Sequence, residues 1–412
     1  MGINKKERFK SLLETYSGLP KEIYVLFIAR VINCIGNFVY PFMTFFLKDR
    51  LNMSPKQIGV FITITAVCGG IGALAGGKLA DHAGRKRTIV ISQGLAAFSL
   101  ILCGILNNPH FIIWLLILSG IFNGAAQPAN SAMLADVTNK QNRKAAFSLL
   151  YLGINVGFAI GPLIAGLLYN DHMRILFIGD GITTIISLIL VVLYVKESIP
   201  EKQQMEIVSN DDEKGEEGST ILALIKRPNL LIFTLISIVY SFIYAQAGYI
   251  IPLQVNDIFG SMASKKLYGY LMTVNALTVI FFTTVITHIT KKNKSVFNIA
   301  LAGVFYAVGF GMLSVIKAYP LFIVSTAVWT VGEILCSTNS GVYIANHSPM
   351  SHRGRFNALI PIISGAGYAI APYIMGGILE NYGFTLSWTL VLGLAVLSGI
   401  SMYGLYISEK RK

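Results

Sequence analysis

Long apolar stretches alternate with short polar segments along most of the chain. Each stretch is about 20 residues long, the length that an α-helix needs to cross a hydrocarbon layer about 30 Å thick. The pattern therefore predicts an all-α integral membrane protein with twelve transmembrane helices. The predicted spans are 24–47, 57–80, 88–106, 111–135, 145–169, 174–195, 229–254, 267–290, 296–316, 320–344, 356–379 and 385–407.

One segment occurs twice in the chain. Residues 135–166 and 345–376 align without a gap, and Pro162 aligns with Pro372. Both copies contain a polar, basic loop followed by an apolar helix with small residues and a proline. A repeat of this size in a very hydrophobic chain is typical of a membrane transporter built from two matching bundles.

The repeat predicts two pseudo-symmetric six-helix bundles, an N-terminal one at 1–195 and a C-terminal one at 229–412. A cytoplasmic linker at 196–228 is predicted between them, because this stretch is polar and has five acidic residues between positions 211 and 217. Its composition favours a flexible tether, and a regulatory segment is the alternative interpretation.

Basic residues lie mainly on one side of the predicted membrane. Of the 33 lysines and arginines, 24 lie in the termini and alternate loops and 7 in the opposite loops. The positive-inside rule therefore predicts a multi-pass protein of the cell (plasma or inner) membrane with both termini in the cytoplasm. Topology explains the net charge of +13, so no nucleic-acid partner is expected. The first apolar run continues into a full span, so no cleavable signal peptide is predicted.

The composition excludes several other classes of protein. Hydrophobic residues make up 54% of the chain and charged residues 13%, against about 25% charged in soluble domains. Histidines lie in loops or at span ends without metal-ligand spacing, and no phosphate-binding glycine loop occurs. No enzyme activity, metal or cofactor is therefore expected. The cysteines all lie inside apolar runs, which favours packing over disulfides or zinc: Cys34, Cys68, Cys103 and Cys336.

The loop after the second span contains the motif Gly77-Lys-Leu-Ala-Asp81-His-Ala-Gly84-Arg85. It resembles the cytoplasmic loop signature of the major facilitator superfamily, which lies between helices 2 and 3. Twelve spans, two halves and a long central loop are similar to the same family, so the resemblance covers the whole chain. It implies the major facilitator fold and a cytoplasmic gate formed by Gly77, Asp81, Gly84 and Arg85. Asp136 is the expected partner of the basic side chains.

The fifth span contains Gly157-Phe-Ala-Ile-Gly161-Pro162-Leu-Ile-Ala-Gly166. This run resembles a glycine–proline motif associated with antiporters of the superfamily, and specifically its multidrug-exporter (drug:proton antiporter) branch. Glycines let helix backbones approach closely, and the proline bends the helix. We expect Gly157 and Gly161 to pack against the other half of the molecule. Helix packing alone would also favour these residues.

Ionisable residues inside the spans are candidates for proton coupling and substrate binding, because such residues are costly in a membrane. Glu333 lies about 13 residues into the tenth span, which places it roughly 20 Å deep, near the midplane. Asp180 and Arg30 lie within the sixth and first spans. An alternative to a role in coupling is that the Asp180 side chain reaches the membrane interface. For Arg30 the alternative is that its long side chain extends to that interface.

Further polar and aromatic residues of the spans are candidates for lining a central cavity. Their side chains supply hydrogen-bonding groups and flat surfaces for aromatic ligands. These candidates are Asn33, Asn37, Tyr40, Tyr240, Tyr244, Gln246, Asn275 and Asn339.

The resemblance and the residues together predict a monomeric secondary active transporter. It would export amphipathic or cationic small molecules in exchange for protons, by alternating access within the lipid bilayer. A proton-linked importer of a polar nutrient is the nearest alternative, although the spans offer few polar groups for a specific nutrient site. A non-transporting membrane receptor is a third interpretation.

Overall fold

The computed structural model describes residues 16–106, 108–139, 142–198, 224–348 and 353–411. Within these ranges, helices are the regular secondary structure and no strand occurs. Nine helical stretches in this part of the chain are long and apolar enough to cross a membrane. The predicted class, an all-α membrane protein, is therefore confirmed. Most of the predicted linker, residues 199–223, lies outside the described residues.

The helices are numbered here in chain order. They are α1 Lys21–Ile35, α2 Val39–Leu51, α3 Pro55–Ala83, α4 Arg85–Leu106, α5 Pro109–Asp136, α6 Arg143–Tyr194, α7 Pro228–Tyr244, α8 Gln246–Thr290, α9 Ser295–Met312, α10 Tyr319–His347 and α11 Arg353–Arg411.

Prolines mark where several of these helices begin. Pro55, Pro109 and Pro228 are the first residues of α3, α5 and α7. A proline suits this position, because its ring already fixes a helical φ and the first residues of a helix have no use for an N–H donor.

Three helices are longer than one membrane crossing and contain a break. Helix α6 has 52 residues, which at 1.5 Å per residue is about 78 Å. Its backbone is non-helical at His172, and α8 and α11 are likewise broken at Gly260 and Gly383. Both glycines have a φ of 76°, in the left-handed region that glycine adopts without strain. Each long helix is therefore two helical segments in succession.

The first predicted span, 24–47, is also interrupted. Helix α1 ends at Ile35 and α2 begins at Val39, and the residues between them are not helical. Apolar residues continue on both sides of the break, and the predicted span passed through Gly36, Asn37 and Pro41, which weaken a helix. The contacts that stabilise the break come from another helix and are described below.

The chain forms two compact units. The first consists of Met1–Pro41 and Thr65–Pro200, and the second of Phe42–Ile64 and Glu201–Lys412. In the first unit α1 and α4 pack on α6, and α4 also packs on α5. In the second unit α7 and α9 pack on α11, and α10 packs on α8 and α9. The predicted bundles, 1–195 and 229–412, follow the order of the chain and stay a prediction. The compact units differ from them, because residues 42–64 belong to the same unit as the later part of the chain.

The glycines of the predicted helix-packing motif lie against α1, within the first unit. A Cβ atom added at Gly157 would lie 2.3 Å from the Cβ of Cys34, and one at Gly161 would lie 2.8 Å from the carbonyl oxygen of Ile35. Pro162 and Gly166 follow on the same helix and are buried. The two glycines therefore pack closely on α1, a helix of their own unit, whereas the sequence analysis expected them to pack against the other half of the molecule. Sequence spacing identifies a smooth helix face but not the helix that covers it.

Candidate functional site

The carboxylate of Glu333 accepts a hydrogen bond on each of its oxygens. The hydroxyl of Tyr244 donates to Oε1 at 3.1 Å, and Nδ2 of Asn275 donates to Oε2 at 2.7 Å. Nδ2 of Asn275 also lies 2.9 Å from Oγ1 of Thr330. These four residues come from α7, α8 and α10, so three helices of the second unit meet at one acid. Because an unpaired carboxylate in an apolar interior is costly, these donors stabilise Glu333 where it lies.

Local helix geometry explains why Thr330 belongs to this cluster. It precedes Glu333 by three residues on α10, so the two side chains share one face of the helix. Its hydroxyl donates to the carbonyl of Thr326 at 2.6 Å and can accept a bond from Asn275. Thr330 was not among the predicted site residues, although its spacing from Glu333 was the signal that could have identified it.

Aromatic rings adjoin this cluster. The ring of Tyr244 meets Trp329 edge-on, with the ring centroids 6.0 Å apart, and lies 6.5 Å from the ring of Tyr368. Trp329 in turn stacks on Phe310 at 5.3 Å. Of these residues only Tyr244 was predicted. The combination of a carboxylate and aromatic rings is one that attracts organic cations.

Three other predicted cavity residues of the second unit bond elsewhere. Tyr240 and Gln246 are buried, and Oε1 of Gln246 has no hydrogen-bond partner among the described residues. The hydroxyl of Tyr240 donates to the carbonyl of Ile299 at 3.0 Å, Nε2 of Gln246 donates to the carbonyl of Phe242 at 2.8 Å, and Oδ1 of Asn339 accepts from Asn298 at 3.0 Å.

Asp180 occupies a different setting in the first unit. Its side chain is buried, and Oδ2 accepts hydrogen bonds from the backbone N–H groups of Phe38 and Val39, both at 3.2 Å. These groups stand at the start of α2, where a helix leaves its first N–H groups without helical acceptors. Asp180 therefore accepts hydrogen bonds from the backbone at the break in the first span.

The polar residues predicted around this break have mixed surroundings. Nδ2 of Asn33 donates to Oγ1 of Thr184 at 2.9 Å, and the hydroxyl oxygen of Tyr40 accepts from Nδ2 of Asn123 at 3.4 Å. Oδ1 of Asn37 is buried and has no hydrogen-bond partner among the described residues. Contacts among the described residues therefore leave the side-chain oxygen of Asn37 unsatisfied.

Arg30 is half-buried on α1. Across the described ranges of the chain, no hydrogen bond or ion pair to its guanidinium is recorded. Its part in proton coupling or substrate binding stays a prediction.

The predicted gate motif forms an ion-pair cluster in the first unit. Arg85 is 8% exposed, and its Nη1 donates to Oδ1 of Asp81 at 2.8 Å. Its Nε lies 3.3 Å from Oδ2 of Asp136, the acid expected from the sequence. Gly77 adjoins Pro128, because a Cβ atom there would lie 4.0 Å from that ring. The motif thus joins the ends of α3 and α5 to the start of α4.

Glu197, which the sequence analysis missed, completes this cluster. Its carboxylate accepts hydrogen bonds from the backbone N–H groups of Lys86 at 3.1 Å and Arg87 at 3.3 Å. Gly84 has a φ of 110°, and a Cβ atom there would lie 2.4 Å from the same carboxylate. Partial burial opposes the negative charge, but the backbone donors at the start of α4 outweigh it and lower the pKa of Glu197.

A second charged contact lies in the second unit, near the break at Gly260. Nζ of Lys265 lies 2.6 Å from Oδ2 of Asp49 and 2.6 Å from the carbonyl of Ser261, and it lies 5.3 Å from the ring centre of Phe45. The Lys265 side chain has 0% exposure. The sequence showed this lysine only as a loop charge, since its partner is far away in the chain.

These features define the class of the protein, which is a multi-span α-helical membrane protein with acids inside its helical units. The family model for the Major Facilitator Superfamily matches residues 26–360 and again 263–412. The chain belongs to the major facilitator superfamily, as its loop motif predicted.

Several curated relatives extend over most of the chain at low identity. An uncharacterized MFS-type transporter of Bacillus subtilis, YttB, is 23% identical over 95% of this chain and 96% of its own length. A Na(+), Li(+), K(+)/H(+) antiporter of Planococcus maritimus is 23% identical over 90% of this chain and 93% of its own. Multidrug resistance protein 1 of Bacillus subtilis is 29% identical over 53% of this chain and 54% of its own.

Solved structures share the fold. A POT family transporter in complex with 5-aminolevulinic acid superimposes with a TM-score of 0.78 at 12% identity, over 93% of this chain and 96% of that one. The nucleoside transporter NupG gives a TM-score of 0.74 at 12% identity, over 94% and 99%. Since relatives and structural neighbours are membrane transporters, this chain is a membrane transporter and not an enzyme.

Proposed function

We propose that this transporter exports amphipathic or cationic small molecules in exchange for protons, by alternating access. The observation that supports it most is the Glu333 cluster, in which one acid, two hydrogen-bond donors and aromatic rings meet. In this proposal the chain is a monomer of twelve helices in two six-helix bundles. Both termini lie in the cytoplasm, and the membrane is the plasma or inner membrane.

Glu333 is the proposed proton carrier. An ionised carboxylate accepts bonds on both oxygens, which is what Tyr244 and Asn275 provide at 3.1 and 2.7 Å. A proton on Oε2 would meet the N–H of Asn275 and remove that bond, unless the amide turned to present its oxygen. Proton binding therefore changes a contact between α8 and α10. This change links protonation to the arrangement of the helices.

The same carboxylate suits a cationic substrate. A positive group that approaches Glu333 would face Tyr244 and Tyr368, whose rings add cation–π attraction and apolar surface. Substrate and proton would then compete for one acid, which is the requirement for exchange. The Na(+), Li(+), K(+)/H(+) antiporter relative, at 23% identity, supports exchange as the mode of transport, and the multidrug resistance relative, at 29%, supports a drug-like substrate.

The remaining predicted roles are retained as proposals. The motif from Gly77 to Arg85, with Asp136, is the proposed cytoplasmic gate. Arg30 stays a candidate for coupling. Asp180 was predicted for the same role, but its contacts with backbone N–H groups favour a positioning role instead.

Purified protein in liposomes with an acidic lumen tests the proposal. Protons that leave the lumen should drive uptake of an amphipathic cationic dye, and a protonophore should abolish the uptake. Glu333→Gln should fold and lose this uptake. Asp257→Asn, which removes an exposed acid of the same unit, should retain it.

Three results would contradict the proposal. Dye uptake that ignores the proton gradient would exclude exchange, and a Glu333→Gln variant at the parental rate would exclude Glu333 as the carrier. Uptake of one polar metabolite together with protons, without any dye transport, would favour the importer. Parallel assays with Na⁺ and K⁺ in place of the dye test whether an alkali cation is the exchanged ion.

A further inference from the structure

The break in the first span lies at residues that weaken a helix, because glycine and asparagine are poor helix formers and Pro41 cannot donate to the carbonyl of Asn37. Gly36, Asn37 and Phe38 are non-helical, and the nearest proline, Pro41, lies inside the next helix. The N–H of Phe38 reaches the carbonyl of Gly36 at 2.8 Å, which is a tight local turn. Breaking a helix inside a membrane exposes backbone groups that must find other partners.

Asp180 supplies an acceptor for the backbone N–H groups that follow the break. Its Oδ2 accepts from both Phe38 and Val39, and the side chain is 5% exposed. An acid at this place also faces the positive end of the α2 helix dipole. The buried carboxylate and the two backbone donors therefore satisfy one another, which makes Asp180 part of the backbone structure of the first span.

A second contact fixes the break on α6. A Cβ atom added at Gly36 would lie 1.7 Å from Oγ1 of Thr183, so only glycine fits at this approach. Thr183 follows Asp180 by three residues and donates to its backbone carbonyl at 3.0 Å. Gly36 and Phe38, on either side of Asn37, thus both contact one turn of α6.

The boundary between the compact units follows directly after this break. Residues as far as Pro41 belong to the first unit, and Phe42–Ile64 belongs to the second. The first turn of α2 is therefore attached to α6 in the first unit, while the rest of α2 is grouped with the second unit.

We propose that Asp180 is a positioning residue that fixes a hinge in the first span. Its carboxylate holds the first turn of α2 on α6, so that the remainder of α2 bends beyond Pro41 during transport. This task requires a hydrogen-bond acceptor and no transferred proton. It therefore differs from the task proposed for Glu333.

Two variants at Asp180 separate the acceptor from the acid. Asp180→Asn keeps an acceptor oxygen, whereas Asp180→Leu removes it. We expect Asp180→Asn to retain proton-driven dye uptake. Asp180→Leu should bind the dye with parental affinity and turn over roughly tenfold more slowly, since a charge-assisted bond is lost from the hinge. Asp171→Asn, an exposed acid on the same helix, is the control.

Amide hydrogen exchange gives a readout that does not depend on the proposed substrate. Peptides that cover residues 36–41 should exchange faster in Asp180→Leu than in the parent, with Asp180→Asn unchanged and other helices unaffected. This measurement still decides the proposal if no dye is transported. In that case the proposed function fails while the hinge stands or falls on its own evidence.

A third variant tests the hinge without altering Asp180. Gly36→Ala should slow turnover because its Cβ meets Oγ1 and Cβ of Thr183, and the additional Thr183→Gly change, which removes both atoms, should restore it. The hinge is contradicted if Asp180→Leu transports and exchanges like the parent, or if Gly36→Ala has no effect. It is equally contradicted if Asp180→Asn loses proton-driven uptake while still folded, since Asp180 would then carry the proton.

Discussion

Arg85 and Asp136 form an ion pair in which Nε lies 3.3 Å from Oδ2, and this pair joins the start of α4 to the end of α5. The same guanidinium also binds Asp81 at 2.8 Å. Asp136 additionally accepts a bond from the hydroxyl of Ser198 at 3.1 Å. One buried cation therefore ties three helix ends of the first unit together, and its loss should affect all three.

The planar guanidinium of Arg85 is predicted to be irreplaceable by lysine. Arg85→Lys keeps the charge but cannot direct separate N–H groups to Asp81 and Asp136, so we expect a loss of about 2 kcal/mol in the free energy of unfolding. Asp81→Asn should cost much less, because the Asp81 side chain is 67% exposed and solvent screens its pairing. Thermal unfolding in detergent measures both. Equal shifts for the two variants would contradict this ranking.

The stabilising effect of Glu197 is predicted to depend on pH. Its folded-state pKa lies below the ordinary value of 4.5, so the ionised form favours the folded state. The stabilisation is present above that ordinary value and is lost as pH falls through the lower folded pKa. Glu197→Gln should therefore be less stable than the parent at pH 7, by less than about 1 kcal/mol because the site is mostly exposed. The difference should vanish in acid, and a difference that grows in acid would refute the assignment.

The donors to Glu333 are predicted to contribute unequally to transport. Asn275→Leu removes a 2.7 Å bond and the contact with Thr330, so we expect a fall of about tenfold in the initial rate of proton-driven uptake. Tyr244→Phe removes a 3.1 Å bond and keeps the ring, so its effect should be smaller. Tyr240→Phe is the control, because its hydroxyl bonds to Ile299 instead. Rates that follow the control in both variants would separate Glu333 from coupling.

Close backbone contact predicts a glycine that tolerates no side chain. A Cβ atom at Gly124 would lie 2.0 Å from the carbonyl oxygen of Gly69, whereas one at Gly94 would meet nothing within 4 Å. Gly124→Ala should therefore destabilise the protein by about 1–3 kcal/mol through overpacking, and Gly94→Ala should be close to neutral. Melting temperatures in detergent compare the pair. Similar values would show that α3 and α5 can separate without cost.

The class and the family could be predicted from the sequence, and Glu333 could be identified as a candidate. Apolar run length is a local property, the motif from Gly77 to Arg85 is contiguous, and an acid inside an apolar run is visible by inspection. The grouping of Tyr244 and Asn275 with Glu333 could not be derived, because Asn275 and Glu333 are 58 residues apart and only helix packing brings them together.

Other features were missed for a similar reason. The break in the first span depends on an acid 142 residues away from Phe38, and nothing in the local pattern reports such a partner. Glu197 binds backbone N–H groups, which every residue carries, so its target has no sequence signature. The spacing of Gly157 and Gly161 indicated a smooth helix face, but periodicity does not reveal which neighbouring helix packs on it.

The enclosed amine of Lys265 offers a natural chemical reporter. With 0% of its side chain exposed and its nitrogen held by Asp49 and Ser261, it is shielded from acylating reagents that would modify surface lysines. Labelling at this position would require that pocket to loosen first. Mass spectrometry of labelled protein could thus count opening events at this place, with no engineered probe.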